Sequence, residues 1–225
     1  MILAAGRGER MRPFTDAHPK PLATVAAKAL IEYHVERLAI AGIERVVINI
    51  AWLGDQIKDA LGDGRRYGVE ILYSDEGALA LDTGGGILQA LPMLGSDPFW
   101  AISADLWTDY RLLDSRAILA RDDLAHLVMV ANPEFHPQGD FSLECGRISD
   151  DCNGSGTRLT FGSISILAPA LFADCRPGKF SVVPLWLDAM RKGRVSGELF
   201  AGVWHNIGTM AQLLAVNQAA RAPSR

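Results

Sequence analysis

The sequence predicts an α/β fold in which a doubly wound, mainly parallel sheet carries helices on both faces. Apolar strand segments alternate with helical segments roughly every twenty to thirty residues, which is typical of parallel sheets. The first strand ends in a glycine-rich loop, as expected where a parallel strand leaves the sheet. The chain has 225 residues, of which 49% are apolar and 21% charged, so we expect a single domain with a substantial core.

The first 131 residues supply the alternating pattern. Residues 2–5 are predicted to form a short buried strand, and residues 28–41 a helix with apolar side chains at helical spacing. Residues 45–51 form a continuous β-branched run, typical of a strand covered on both faces. Further along, we predict a helix at 55–61 capped by Asp55, strands at 69–74, 99–105 and 126–131, and a helix at about 86–91.

After Pro133 the pattern changes. Residues 141–148 and 157–167 are strand-like and are separated by glycine-rich turns, including 153–156. We interpret them as a small antiparallel excursion at the edge of the sheet. Helices are expected again at about 181–192 and 210–220, with Thr209 as the cap of the second and a frayed tail at 221–225.

Composition and charge exclude several classes of protein. The formal net charge of −4 argues against a nucleic-acid partner, which would favour a basic surface. The sequence contains no apolar run long enough to span a membrane, and residues 1–5 are too short for a signal-peptide core. The three cysteines, Cys145, Cys152 and Cys175, form no C-x-x-C pair, so we expect reduced thiols in a cytoplasmic protein.

The loop after the first strand is basic in an otherwise acidic protein. Gly6 and Gly8 are followed by cations but by no third glycine, which argues against a dinucleotide-binding fingerprint. The P-loop motif is absent as well. One interpretation is a cradle of backbone N–H groups and mobile cations for a polyphosphate, and the other is a turn with surface arginines. The cations are Arg7, Arg10, Arg12 and Lys20.

A carboxylate stands at the end of another predicted strand. Asp105 closes the apolar run F-W-A-I-S-A-D, at the carboxyl edge where open α/β sheets bind ligands. Its oxygens suit a hard cation such as Mg²⁺. A strand-end turn residue is the alternative interpretation.

Several motifs together carry a family resemblance. L-A-A-G-R-G-E-R-M-R-P-F-T followed by P-K-P-L resembles the signature of sugar-1-phosphate nucleotidyltransferases. The resemblance continues in order along nearly the whole chain, through L-I-E-Y, N-I-A-W-L-G, D-T-G-G-G, D-L-W-T-D-Y, G-D-F and W-H-N-I-G-T. It implies a Rossmann-like nucleotide-diphospho-sugar transferase fold, with about 1–130 as the nucleotide-binding half, about 131–208 as the sugar-binding half, and 209–225 as a terminal helix and tail.

The resemblance also implies a reaction and its residues. It implies Mg²⁺-dependent transfer of a uridylyl group from UTP to a sugar 1-phosphate, with N-acetylmuramate 1-phosphate as the acceptor. Arg10 would bind the β- and γ-phosphates, Lys20 the α-phosphate or the sugar phosphate, and Asp105 and Asn206 the metal. The nucleotide would contact Leu3, Ala4, Ala5, Gly6, Gly8, Asp82, Thr83 and Gly84, and the sugar Gly139, Asp140 and Ser163.

The sequence departs from the family pattern at two points. Asn206 stands where many relatives carry Asp, and no Glu-Lys-Pro segment follows the G-D-F motif. Lys179 is a candidate replacement cation, and Arg147 or Arg158 could meet a carboxylate on the acceptor. Three alternatives therefore stay open: mannose, glucose or N-acetylglucosamine 1-phosphate as acceptor, another nucleotide as donor, or an inactive nucleotide-sugar sensor. We expect a monomer without a nucleic-acid or membrane partner.

Overall fold

The computed structural model describes residues 1–78, 80–112, 118–151 and 156–221. Cys152, the predicted turn at 153–156 except its last residue, and the tail at 222–225 lie outside these residues. The strands are β1 (Ile2–Leu3), β2 (Thr24–Val25), β3 (Lys28–Ala29), β4 (Arg45–Ile50), β5 (Glu70–Asp75), β6 (Phe99–Ser103), β7 (Leu106–Thr108), β8 (Ala125–Val130), β9 (Phe141–Glu144), β10 (Arg147–Ser149), β11 (Thr157–Leu167), β12 (Val195–Leu199) and β13 (Trp204–Asn206). The helices are α1 (Phe14–Ala17), α2 (Leu30–Ile40), α3 (Gly54–Leu61), α4 (Asp82–Leu94), α5 (Val183–Arg191) and α6 (Met210–Arg221).

A mixed sheet organises the described part of the chain. Its nine strands follow the order β5-β4-β1-β6-β11-β8-β12-β10-β9. The first four run parallel, with Ile2 aligned to Ile48 on one side and to Ile102 on the other. These are the strands that the alternating pattern predicted, with ends shifted by one or two residues. The predicted α/β fold class is confirmed.

The position of β11 corrects one prediction. Residues 157–167 were expected at the sheet edge, but β11 lies in the middle, antiparallel to β6 and β8. Its inner half is buried on both faces, with Ile164, Ile166 and Leu167 at 2% exposure or less. A strand covered on both faces stabilises the centre of a sheet better than its edge. β9 and β10 form an antiparallel pair beyond β12, and β9 also pairs with the first residues of β11.

Apolar cores cover both faces of the sheet. Along β4, Val46 and Ile48 pack against α2 and α3, whereas Val47 faces the opposite core with Ile87 of α4 and Trp186 of α5. This alternation follows from the two-residue period of a strand. The chain therefore carries helices on both faces, as predicted.

The starts of two helices test the capping residues that the sequence predicted. The hydroxyl of Thr209 accepts a hydrogen bond from the Gln212 backbone N–H at 3.2 Å, so the predicted cap of α6 is confirmed. The predicted Asp55 cap is wrong, because Leu53 occupies that position with φ 54° and Asp55 lies inside the first turn. A leucine does not predict a left-handed backbone conformation, so the sequence carried no sign of the turn at Leu53.

Helix α6 joins the end of the described chain to its beginning. Leu213 and Val216 pack with Met11, Val25 and Leu30 in a third apolar cluster. None of the helices described is long and apolar enough to cross a membrane. Cys145 and Cys175 are free thiols.

Candidate active site

A cavity of about 530 Å³ opens at the carboxyl ends of the parallel strands. Leu3, Asn49 and Ser103 contribute to its wall from the ends of β1, β4 and β6. The structure brings most of the sequence-predicted residues of the nucleotide site and the reaction to this one place. Those that line the cavity are Leu3, Ala4, Ala5, Gly6, Gly8, Arg10, Lys20, Asp82, Thr83 and Asp105.

The two glycines of the loop have different reasons to be glycine. Gly8 adopts φ +69°, and a Cβ there would lie 3.0 Å from the Lys20 side chain. Its carbonyl accepts a hydrogen bond from the Thr15 hydroxyl at 3.0 Å, which fixes the turn. A Cβ at Gly6, in contrast, would meet no other part of the protein within 4 Å. Packing does not require glycine at position 6, and a bare backbone there leaves room for a ligand.

Lys20 and Asp105 form an ion pair in the cavity wall. Lys20 begins a short 3₁₀ helix after Pro19, and Asp105 lies in the turn between β6 and β7. Their side chains are 13% and 25% exposed, so the pair is largely withdrawn from solvent while still facing the cavity. A cation and a carboxylate side by side can receive an anion and a metal ion respectively.

Asn206 lies next to Asp105 through strand pairing. It is aligned with Leu106 in the β13–β7 ladder, and the following residue, Ile207, donates its backbone N–H to the Asp105 carbonyl at 2.9 Å. The Asn206 side-chain oxygen is buried without a hydrogen-bond partner. Asn206 itself does not line the cavity, but a buried amide oxygen without a protein partner is a potential cation ligand.

The arginines of the loop separate into different environments. Arg10 lines the cavity, and its guanidinium packs so closely over Gly208 that a Cβ there would lie 2.9 Å from Nη2. Arg7 instead stacks on the Trp52 ring at 4.4 Å, outside the cavity lining. Arg12 pairs with Asp16 at 3.2 Å. Of these three side chains, Arg10 is the one placed to meet a phosphate.

A hydrogen-bonded network that the sequence analysis did not assign spans the cavity floor. Asn49 accepts the Ala4 backbone N–H at 2.9 Å and donates to Glu76 at 2.6 Å. Glu76 in turn accepts the Leu81 backbone N–H at 2.6 Å. The network therefore fixes the glycine loop relative to the start of α4. Its partners are distant in sequence, so no local motif could have identified it.

The three glycines at the start of α4 are explained by close packing. The Gly84 and Gly85 N–H groups both donate to the Phe180 carbonyl, at 2.9 and 3.1 Å. A Cβ at Gly84 would collide with the Phe180 ring, and one at Gly85 with the Gly178 carbonyl. Gly84 is thus buried beneath residues 178–180 and does not line the cavity.

The three predicted sugar contacts lie in different places. Ser163 lines a second cavity of about 290 Å³ adjoining the first. Gly139 and Asp140 line neither cavity. Asp140 accepts the Phe161 backbone N–H at 2.8 Å and lies 3.0 Å from His136 Nε2. Both carboxylate oxygens of Asp140 are therefore used to hold the polypeptide.

The candidate cations of the sugar half also lie outside both cavities. Arg147 donates two hydrogen bonds to Asp123, at 3.0 and 2.9 Å. Arg158 donates to the Gln138 carbonyl at 3.0 Å. Lys179 is exposed and lines neither cavity. Arg147 therefore ties β10 to Asp123, whereas Arg158 has a further nitrogen, Nη1, that is buried without a hydrogen-bond partner.

A buried histidine lies behind the metal candidate. His34 of α2 is 2% exposed and hydrogen-bonds to the backbone of Leu106. Burial lowers the pKa of His34 to about 4, with the Arg37 guanidinium adding to the effect and Asp105 opposing it. The imidazole is therefore neutral at pH 7 and serves as a packing element. Among the described residues, no three His, Cys, Asp or Glu side chains cluster as a metal centre.

Solved structures define the class of fold. A UDP-glucose pyrophosphorylase in complex with UDP-glucose matches 97% of the chain and 96% of its own, with TM-score 0.75 and 20% identity. A Bacillus anthracis protein assigned as a glucose-1-phosphate thymidylyltransferase matches 100% of the chain and 95% of its own, with TM-score 0.85 and 18% identity. The chain has the nucleotide-diphospho-sugar transferase fold.

Sequence comparisons give the family. The family model described as nucleotidyl transferase matches residues 1–138. An N-acetylmuramate α-1-phosphate uridylyltransferase of Neisseria meningitidis serogroup B is 47% identical over 95% of the chain and 94% of its own length. One of Caulobacter vibrioides is 35% identical over 92% of the chain and 90% of its own length. The chain belongs to the nucleotidyl transferase family and is a sugar-1-phosphate nucleotidyltransferase.

Proposed function

We propose that the protein transfers a uridylyl group from UTP to N-acetylmuramate 1-phosphate, giving UDP-N-acetylmuramate and pyrophosphate. The observation that carries the proposal is the Lys20–Asp105 pair beside the glycine loop in one cavity. The choice of nucleotide and sugar is supported by the two relatives of that activity, which align over nearly their whole length. A role in recycling cell-wall sugars follows from this substrate.

The reaction needs positioned cations more than a protein base. An oxygen of the sugar phosphate attacks the α-phosphorus of UTP, and the bond from that phosphorus to the bridging oxygen breaks to release pyrophosphate. The attacking phosphate is already an anion, so the barrier lies in charge repulsion and in charge growing on the leaving group. In the proposal, Lys20 holds the α-phosphate or the sugar phosphate, and Arg10 the β- and γ-phosphates.

The backbone around the loop is proposed to receive the rest of the nucleotide. Gly6 and Gly8 let the backbone N–H groups approach the phosphates. Leu3, Ala4 and Ala5 would lie along the nucleoside. Asp82 and Thr83 line the opposite wall. Gly84 is proposed to support this wall from beneath, where it packs closely on Phe180.

The residues present fit Mg²⁺ as the cofactor. Asp105 offers a carboxylate at the cavity, and the buried Asn206 oxygen has no protein partner. One or two protein ligands completed by substrate phosphates and water are typical of Mg²⁺ sites. When bound, the ion would neutralise charge on the phosphates. Asp105 and Asn206 would be the residues that hold the ion, and Lys20, beside Asp105 in the cavity wall, would offer its ammonium group to a phosphate.

In the acceptor half, the proposal assigns different tasks to the predicted residues. Ser163 would contact the sugar from the second cavity. Gly139 and Asp140 would position the acceptor site without touching the sugar, because Asp140 accepts a hydrogen bond from the Phe161 backbone N–H. The protein is further proposed to be a cytoplasmic monomer, which is consistent with its free Cys145 and Cys175 thiols.

Pyrophosphate release from UTP with a panel of sugar 1-phosphates tests the function. The proposal expects the highest kcat/KM with N-acetylmuramate 1-phosphate and less with the glucose, mannose and N-acetylglucosamine compounds. Equal or higher turnover of another acceptor, or of another nucleotide, would reassign the substrate. Binding of nucleotide without turnover across the panel would identify a sensor instead.

A further inference from the structure

The chain before helix α6 meets the glycine loop at the edge of the nucleotide cavity. Gly208, two residues before α6 begins, lines this cavity together with Arg10 of the loop. The neighbours of these two residues in the chain, Ile207 and Met11, are both fully buried in the third apolar cluster. Because one core holds both neighbours, the backbones of Arg10 and Gly208 are fixed relative to each other.

The Arg10 guanidinium lies where any residue other than glycine would place a Cβ at position 208. That Cβ would be 2.9 Å from Arg10 Nη2 and 3.3 Å from Cζ, both closer than the 3.4–4 Å of ordinary van der Waals contact. The backbone itself does not require glycine, because Gly208 is not among the residues of positive φ. The guanidinium therefore keeps its present position only while residue 208 has no side chain.

Gln212 anchors the Gly208 backbone. Its Oε1 accepts the Gly208 N–H at 2.8 Å and the Thr209 hydroxyl at 3.2 Å. Thr209 in turn accepts the Gln212 backbone N–H at 3.2 Å. These reciprocal bonds resemble the capping box of a helix N-terminus, with the glutamine reaching one residue further back along the chain. The start of α6 thus fixes the backbone on which the Arg10 guanidinium rests.

The charge of Arg10 is left for a ligand. Within the part of the chain that the structure describes, Arg10 forms no ion pair with a carboxylate, whereas Arg12 and Lys20 each do. Contact with Gly208, rather than a salt bridge, therefore orients the guanidinium. Gln212 Oε1 lies 3.3 Å from the same Cβ position, and as a neutral amide it holds the backbone without competing for the arginine.

We propose that Gly208 and Gln212 are positioning residues that orient the Arg10 guanidinium toward the β- and γ-phosphates of UTP. A guanidinium donates two parallel hydrogen bonds to a phosphate only when its plane has the right direction. The direction matters both for binding the triphosphate and for stabilising the charge that grows on the leaving pyrophosphate. This inference rests on the proposed function and on the role of Arg10 in it.

The variant Gly208→Ala adds the missing Cβ. The atoms it meets are the end of a flexible side chain, so the protein should keep its melting temperature while the guanidinium turns away. We expect the KM for UTP to rise about tenfold and the KM for the sugar 1-phosphate to change less than about twofold. Gly156→Ala is the matched control, because its Cβ would lie 3.2 Å from Ser142 Cβ, outside both cavities. It should leave both KM values unchanged.

The reverse reaction locates the effect along the ligand. In that direction an oxygen of pyrophosphate attacks the α-phosphorus of UDP-N-acetylmuramate, and the bond to the sugar phosphate breaks to give UTP and N-acetylmuramate 1-phosphate. Gly208→Ala should raise the KM for pyrophosphate about tenfold and leave the KM for UDP-N-acetylmuramate within about twofold. Equal increases for both substrates would mean that residue 208 acts on the nucleoside or the sugar, which would overturn the inference.

A double-mutant comparison shows whether Gly208 acts through Arg10. Lysine at position 10 has no Nη2 for a Cβ at position 208 to displace. In the Arg10→Lys background, Gly208→Ala should therefore change kcat/KM for UTP less than about twofold, against about tenfold in the wild-type background. The same loss in both backgrounds would show that Gly208 does not act through Arg10.

The variant Gln212→Glu tests the neutral anchor and does not depend on the folding of Gly208→Ala. Glutamate keeps an acceptor for the Gly208 N–H but adds a negative charge beside Arg10, so the KM for UTP and for pyrophosphate should rise at least about threefold. Unchanged KM values in both Gln212→Glu and Gly208→Ala would overturn the inference while uridylyl transfer stands. An inactive wild-type protein would instead overturn the proposed function.

Discussion

At the residue scale, the Lys20–Asp105 pair is the centre of the proposed chemistry. Both charges lie in the cavity wall and are largely shielded from solvent. We predict that Lys20→Ala lowers kcat at least about a hundredfold, because it removes a donor to the charge of the transition state. Pyrophosphate release under saturating UTP measures the effect. Lys28→Ala, which breaks the more exposed Lys28–Glu36 pair of 2.6 Å, is the control and should keep its turnover. Near-normal turnover in Lys20→Ala would remove Lys20 from the mechanism.

We predict that Asp105 contributes more to activity and to metal binding than Asn206 does. Asp105 carries a charge at the cavity, whereas Asn206 offers a neutral, buried amide oxygen and does not line the cavity. We expect Asp105→Ala to lose more activity than Asn206→Ala, and to need a higher Mg²⁺ concentration for half-maximal rate. Titration of the rate with Mg²⁺ in each variant gives the comparison. Equal losses and equal metal requirements would contradict this ranking.

At the scale of the element, the glycine loop and the start of α4 use glycine for opposite reasons. Gly6→Ala and Gly85→Ala each add one methyl group, so they form a matched pair. At Gly6 the methyl meets no protein atom, and at Gly85 it collides with the Gly178 carbonyl. We predict that Gly6→Ala lowers activity with unfolding free energy unchanged within about 0.5 kcal/mol. Gly85→Ala should lose about 1–3 kcal/mol through overpacking.

Urea unfolding and a turnover assay on both glycine variants provide the measurements. If Gly6→Ala were as unstable as Gly85→Ala, position 6 would need glycine for folding rather than for ligand access. If Gly85→Ala were fully stable, the close approach of residues 178–180 to α4 would be wrong.

The sequence predicted which segments form strands better than it predicted the order of those strands in the sheet. The β-branched run of β4 and the apolar run of β6 specify strands by themselves. The central place of β11 depends on its two neighbouring strands, and these lie about thirty to seventy residues away in sequence. Helix α4 is longer than predicted because hydrogen bonds to the Phe180 carbonyl stabilise Gly84 and Gly85, which intrinsically disfavour a helix.

The residues of the site also divide into those that the sequence predicts and those that it does not. The glycine loop, Lys20 and Asp105 are encoded in short segments, and a pattern of residue types indicates their chemistry. Glu76 carries no such signal, because its role arises from contacts with Asn49 and Leu81. Asp140 shows the reverse: its motif indicated a sugar contact, and in the structure it holds the β11 bulge.

At the scale of the whole molecule, β11 ties the two predicted halves together. It lies between β6 of the first half and β8 at the boundary, and it also pairs with β9. We predict one cooperative unfolding transition, with far-UV circular dichroism and tryptophan fluorescence changing together. A fragment of residues 1–138 should be unfolded, since β6 loses its β11 partner. Two separate transitions, or a folded fragment, would show that the halves are independent domains.

Stability should also depend on pH through His34. Burial lowers its pKa from 6.5 to about 4, so between these values the unfolded chain binds a proton that the folded chain does not. The stability from neutral His34 is present above pH 6.5 and is lost as the pH falls toward 4. We expect His34 to lower the free energy of unfolding by about 1–2 kcal/mol between pH 7 and pH 5.

Urea unfolding at both pH values measures this dependence. The variant His34→Gln should flatten it, and His205→Gln, which changes an exposed side chain, should not. An unchanged slope in His34→Gln would mean that His34 is protonated in the folded protein, with Arg37 and Asp105 as the charges nearby.

The central claim is that the cavity of Lys20 and Asp105 joins UTP to N-acetylmuramate 1-phosphate. Its most direct test is pyrophosphate release by the purified full chain with Mg²⁺, UTP and this acceptor, followed by identification of the nucleotide product. The account predicts UDP-N-acetylmuramate and pyrophosphate in equal amounts, with loss of both in Lys20→Ala. UTP binding without either product, or higher kcat/KM with a different sugar 1-phosphate, would contradict it.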